Sequence, residues 1–213
     1  MVTDTDYEPQ HIQAVALKFQ KILSLEIEQY TIERLLSHLP ANHSSDWHGA
    51  YDIFPEDLIC EYCHAHFSMV YEKEKVSVNM TTTPTICTLW NHNRLIKNFA
   101  RIGNLVDNPF QYTNNTKGYF LFPINLITIY NGNHSTNVAL YENNTILENI
   151  YFMDISNWME EIYFNRKTNT FHHLACDAPV IQQQLFHENI GYIYEIGQFL
   201  YLNGLTISTE TFC

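Results

Sequence analysis

Gly132-Asn133-His134-Ser135 is the stretch of this chain whose residue types and order best suit chemistry. An apolar, β-like run, Leu126-Ile127-Thr128-Ile129-Tyr130, leads into it, and a helix-periodic segment with Val138, Ala139 and Tyr141 leaves it. At such a corner Gly132 permits positive φ or a close backbone approach. Asn133 or Ser135 can cap the helix, so that its first N–H groups and the positive end of its dipole face an anion. His134 titrates near neutrality and stands where it could exchange a proton with a bound phosphate. The expectation is a phosphate corner of Gly132, Asn133 and Ser135, with His134 as the catalytic acid or base. The plain alternative is a glycine turn, a capped helix and an exposed histidine.

A complement lies upstream in Trp90–Gly103, where Arg94, Lys97 and Arg101 recur at helical spacing. They are three of only eleven basic residues, so Arg94 and Arg101 are the expected neutralising charges. Asn91 and Asn93 could add hydrogen bonds to a base or phosphate. Three further clusters invite metal or acid–base chemistry. Cys60-x-x-Cys63-His64 has the form of a c-type haem attachment string, but no export signal accompanies it. A zinc site needs four tetrahedral ligands, or three and a water. The missing ones could come from His173-x-x-Cys176, more than a hundred residues away. With no second C-x-x-C nearby, core packing of Cys63 and His66 with His64 exposed is expected, and no metal or cofactor is assigned. His172, His173 and Asp177 could form an acid–base set, although neighbours on a strand point to opposite faces. Asp46, His48 and Asp52 sit in a loop-like segment as a weaker metal or base cluster.

The segments PINLITIYNGNHSTNVALYEN, WNHNRLIKNFARIG and ILENIYFMDIS resemble an uncharacterised bacterial domain family marked by a GNHS signature. More distantly, Gly132-Asn133-His134-Ser135 and the helix after it resemble the G-x-H-R-x-x-A box of the ParB/sulfiredoxin-like superfamily, with Pro123-Ile124 matching its Pro-Ile pair. The resemblance covers roughly residues 87–160. It implies that Gly132, Asn133, His134 and Ser135 contact nucleotide phosphate, in a superfamily of nucleotide-dependent clamps, phosphotransfer enzymes and nucleases. Ser135 stands where that box carries Arg, which removes a bidentate phosphate fork and touches catalysis more than binding.

These residues must be positioned by the rest of a 213-residue chain that is 46% hydrophobic and 14% aromatic, enough to bury a substantial core. Helices are expected at 9–24, with Ile12, Val15, Phe19 and Ile22 inward, and at 31–39. Another is expected from Pro55 to about Tyr71, with Leu58, Ile59, Tyr62, Cys63, His66, Phe67 and Val70 inward, and one from Pro84 to Gly103. Strands are expected at 75–80, 119–131 and 145–154. A short helix (156–164), a strand-like TFHHL and a long helix over 178–202 close the chain. The fold class is α+β, a small mixed sheet with the strand-turn-helix at its centre, flanked by N-terminal helices and a long C-terminal helix. A single domain over 1–213 is expected: a mainly helical part to residue 80, the 87–160 core, and the 178–202 helix.

Net charge is −12, with clustered basic residues too few for a long nucleic acid. No stretch reads as a membrane span, and five loosely spaced cysteines suit reduced thiols, so a cytoplasmic location is expected. Richness in Asn, Thr, Ile and Tyr hints at an AT-rich bacterial or phage genome. Two functions follow. One is binding of a small phosphate-bearing ligand or nucleotide, with hydrolysis or phosphoryl transfer, perhaps in bacterial or phage defence conflict. The other is a non-enzymatic acidic protein, an immunity or anti-defence inhibitor, that blocks a basic partner.

Overall fold

The computed structural model describes residues 8–37, 53–142, 145–180 and 185–206, and the architecture is α+β. Helix α1 (Pro9–Ser37) runs unbroken where two helices are expected, because residues 25–30 contain no glycine or proline to stop it. Its orientation also differs. Val15, Phe19 and Ile22 are more than half exposed, and the buried residues are Gln20, Ser24, Ile27, Glu28, Thr31 and Leu35. The inward face is therefore largely polar, which an apolar stripe cannot reveal. Each buried polar group then needs a partner. The Gln20 amide donates to the carbonyls of Ile124 (2.9 Å) and Ile193 (3.0 Å). Lys21 donates to the carbonyls of Met80 (2.6 Å) and Thr83 (3.2 Å). Glu28, fully buried, accepts the backbone N–H of Cys87 at 2.5 Å and the amide of Asn137.

The helix expected from Pro55 is instead a hairpin of β1 (Asp57–Ile59) and β2 (His66–Ser68), with Leu58 opposite Phe67. His64 at φ 59° turns the chain, and Ile59 and Tyr62, inward on a helix, are exposed. The main sheet follows: β3 (Val70–Asn79), β4 (Thr85–Cys87), β5 (Lys117–Phe122), β6 (Leu126–Asn131) and β7 (Ile146–Asp154), in the order β3-β7-β5-β6-β4. Pro123 divides the expected 119–131 strand into the antiparallel pair β5–β6, since proline cannot donate within a ladder. β4 is parallel to β6, from Thr85↔Ile127 to Cys87↔Ile129. The helix expected from residue 84 to 103 is thus β4 followed by the shorter α2 (His92–Phe99), and α3 (Asn133–Ala139) follows β6.

A second, three-stranded sheet holds β8 (Ile162–Asn165), β9 (Thr170–His173) and β10 (Ala178–Pro179), in the order β10-β9-β8. The expected 156–164 helix is only a single 3-10 turn (Ser156–Trp158) before β8, and the C-terminal helix α4 is confined to Glu188–Leu202. Two cores flank the main sheet. Phe120, Ile127, Ile129, Leu95 and Ala139 lie in the one beneath α2 and α3. Leu121, Leu126 and Met153 lie in the other, with Leu58, Phe67, Trp158, Phe171 and Tyr194. Gly197 of α4 is in close contact with the β5–β6 turn, where a Cβ would fall 2.5 Å from Ile124 Cα. Among the described residues, no helix is long and apolar enough to cross a membrane.

Burial pushes the Glu28 carboxyl up to about 8, against the opposing pull of the Cys87 N–H, Asn137 and Lys21. An unfolded chain releases that proton near pH 4.3. From there to about pH 8 the folded state binds more protons than the unfolded one, so this group's contribution to stability falls as pH rises. Glu28→Gln has no such proton. Urea denaturation at pH 5, 6.5 and 8 should show wild type losing roughly 2–4 kcal/mol relative to Glu28→Gln across that window. A difference between the two proteins that stays constant with pH would contradict a neutral Glu28.

Candidate functional site

The parallel strands β4 and β6 end side by side, and the segments that leave them, Thr88–Asn91 and Asn131–Ser135, meet at one edge of the sheet. Gly132 adopts φ 75°, and a Cβ there would lie 3.1 Å from both Asn115 O and Thr116 Cα. Glycine is demanded twice, by dihedral and by space. The caps differ from expectation. Gly132 itself is the N-cap of α3 with no side-chain bond, and Ser135 Oγ donates back to the Gly132 carbonyl at 3.0 Å. Asn133, 5% exposed, reaches across the corner, and its Oδ1 accepts the Thr88 N–H at 3.0 Å. Through this bond Asn133 is a clasp between the two strand ends.

His134 makes the second clasp. It is 6% exposed, and its Nε2 accepts the N–H of Asn91 at 3.1 Å. Asn91 Oδ1 in turn caps α2 by accepting the Arg94 N–H at 2.9 Å. Burial, followed by the nearby Arg94 charge, lowers the His134 pKa to about 4. Near neutral pH the ring is therefore uncharged. Its Nε2 lone pair is engaged and its proton sits on Nδ1, a tautomer assigned from the Asn91 bond. Such a ring can donate one neutral hydrogen bond, but it is not an acid at pH 7.

Of the expected basic edge, the structure brings Arg94 to this corner. Its guanidinium lies 4.6 Å from the centre of the Trp90 ring, which meets His134 edge-on at 5.3 Å. Arg94 is exposed and no acidic side chain pairs with it among the described residues. Arg101 is exposed beyond the end of α2, where its carbonyl accepts the Asn108 amide, and no contact joins its side chain to the corner among the described residues.

The cysteine-rich strings have a different fate. Cys60, Cys63, His173 and Cys176 converge, with one ligand atom of each within 4.8 Å of all the others. Cys63 is exposed rather than packed in the core, and His66 is half-exposed beside Asp57. His172 and His173 do point opposite ways. The ring of His172 lies 3.2 Å from the carbonyl of Asp177, while that of His173 turns to the cysteines, 3.3 Å from Cys63 Sγ. Burial opposes it, yet N–H groups of Cys63 and Tyr62 and the side chains of Cys63 and His173 bring the Cys60 thiol down to about 6. A hydrogen bond with Cys63, then burial, pushes Cys176 up to about 11. Both strings are readable, and the sequence leaves their combination open; the fold brings them together across 110 residues. The Asp46, His48 and Asp52 cluster lies outside the described residues.

The model of a family of unknown function (DUF6710) matches residues 3–207, and the chain belongs to that family. No curated protein and no solved structure matches it.

His134 offers a direct check on this geometry. Its lowered pKa means the unfolded chain gains a proton near pH 6.5 that the folded one refuses until about 4, so its contribution to stability is lost as pH falls through that window. In an NMR titration from pH 8 to 5 its ring signals should hardly move. A midpoint near 6.5 for His134 would mean that the Asn91 clasp is not formed.

Proposed function

We propose that this member of the DUF6710 family binds a small phosphate-bearing ligand, a nucleotide in the first instance, at the edge where β4 and β6 end. The observation that carries it is Arg94: a guanidinium in a chain of net charge −12, braced on Trp90 and with no acidic partner among the described residues. Arginine in that setting is suited to grip phosphate through two parallel hydrogen bonds. Ligands of α/β sheets commonly settle outside the carboxyl ends of parallel strands, and α2 and α3 both start there. Trp90, only partly buried, offers a face to a base, and the Nδ1–H of His134 is a neutral donor. The likeness of Gly132–Ser135 and Pro123-Ile124 to the ParB/sulfiredoxin-like box adds support for phosphate as the ligand.

Binding is better supported than hydrolysis or phosphoryl transfer. Ser135 spends its hydroxyl on the Gly132 carbonyl, and His134 holds the Asn91 loop with the nitrogen a general base would use. The second reading, an acidic immunity or anti-defence inhibitor with a basic partner, is favoured by the twelve-charge excess alone.

Isothermal titration against nucleoside mono-, di- and triphosphates and inorganic phosphate separates the two. Saturable binding of at least one nucleotide is expected, weakened about 10- to 100-fold by Arg94→Ala with the fold intact by circular dichroism. No heat from any nucleotide would sink the ligand reading. Salt-sensitive capture of a basic protein that survives both Arg94→Ala and His134→Ala would put the second in its place.

A further inference from the structure

Two turns far apart in sequence are built alike. In the first, Cys60-x-x-Cys63, the N–H of His64 donates to the Cys60 carbonyl at 3.0 Å, and His64 has φ 59°. In the second, His173-x-x-Cys176, the N–H of Asp177 donates to the His173 carbonyl at 2.9 Å, and Asp177 has φ 51°. Each turn also closes a hairpin at the same offset. The Cys60 N–H bonds the carbonyl of Ala65, and His173 is the partner of Ala178. Within the first turn, the N–H groups of Tyr62 and Cys63 point at Cys60 sulfur. Both turns thus present residues one and four to a common point, and backbone bonds from the Ile59 N–H to the Val180 carbonyl (3.1 Å) and from the Glu61 N–H to the Pro179 carbonyl (3.0 Å) hold them face to face.

We infer that Cys60, Cys63, Cys176 and the Nδ1 of His173 together bind one Zn²⁺ ion in a tetrahedral site. The four ligand atoms already lie within 4.8 Å of one another. Sulfurs bound at about 2.3 Å from zinc sit about 3.8 Å apart, so a small closing movement completes the tetrahedron. Three sulfurs and one imidazole select zinc over the oxygen-seeking cations. Four protein donors leave no open position, which makes the site structural. Each thiol gives its proton to solvent as its sulfur bonds the metal, and His173 binds as the neutral ring. The other face of His173 fits as well: its Nε2 lies 3.5 Å from a Glu161 carboxylate oxygen, the outer partner that fixes a ligating histidine. A staple also suits the hairpin it would secure. β1 and β2 have three residues each, a length that is marginal without further support.

The test uses the full chain, purified without a histidine tag or chelator. Elemental analysis should find one zinc per chain, and Co²⁺ exchanged into the wild-type protein should give the intense visible bands of a tetrahedral thiolate site. His173→Gln and Cys176→Ser should each lose stoichiometric metal, and Glu161→Gln should weaken zinc about 10- to 100-fold against a chromophoric chelator. His66→Gln, beside the first turn but outside the ligand set, should keep the metal. The inference is overturned by folded wild-type protein with less than a tenth of an equivalent of zinc and no cobalt spectrum. It is equally overturned by a disulfide among Cys60, Cys63 and Cys176 by mass, by iron in place of zinc, or by metal lost with His66→Gln but kept with His173→Gln. None of these readouts depends on nucleotide binding.

Discussion

One buried carboxyl governs how the corner is assembled. β4 is an edge strand of three residues, and the Cys87 N–H that faces away from β6 would have no ladder partner. Glu28 of α1 supplies that partner and at the same time meets Asn137 of α3. A helix, a strand end and a second helix are thus joined through one side chain from which water is excluded. An ionised carboxylate there would be costly, and two hydrogen bonds offset only part of the cost, so the proton stays. Asn137 Oδ1 has no partner among the described residues, and turning the amide end for end would let it accept that proton's O–H. The segment after β4, with Thr88, Trp90 and Asn91, inherits its position from this junction.

What could be read in advance divides along a physical line. Local requirements are legible: a glycine at residue 132, with a strand before it and a helix after it; the division of 119–131 at Pro123 is not. Asn133 reads locally as a helix cap or a phosphate contact, but its Oδ1 partner, Thr88, is 45 residues away, and nothing local announces it. Helix α1 fails the usual reading because its packed face carries Gln20, Ser24 and Glu28, whose partners come from distant loops and strands. The segment 55–71 fails differently. Its apolar residues fit either period, and Leu58 and Phe67 are buried in both readings; the turn at His64 decides. The ligand strings of the cysteine cluster are visible as strings, while the bonds from Ile59 and Glu61 to residues 180 and 179 make them one cluster.

The two candidate sites draw on opposite sides of the main sheet. The corner rests on the core that contains Leu95, Ile129 and Ala139. The cysteine cluster hangs from the core of Leu58, Phe67, Phe171 and Tyr194, where the Tyr194 hydroxyl donates to the carbonyls of Trp158 (3.1 Å) and Ile162 (3.2 Å) and so ties α4 to β8. No side chain is shared between them among the described residues, so damage to one can be separated experimentally from loss of the other.

The bonds from β1 to residues 179 and 180 carry a cost in time. A ribosome adding roughly 5–20 residues per second needs about 6–24 s to pass from Glu61 to Pro179. For most of that interval the first hairpin exists without the backbone partners at residues 179 and 180, and the thiols of Cys60 and Cys63 are made well before His173 and Cys176. A segment made before β3 to β10 is thus among the last able to settle. The backbone bonds that hold the first hairpin against the last short strand can form only once residues 179 and 180 exist.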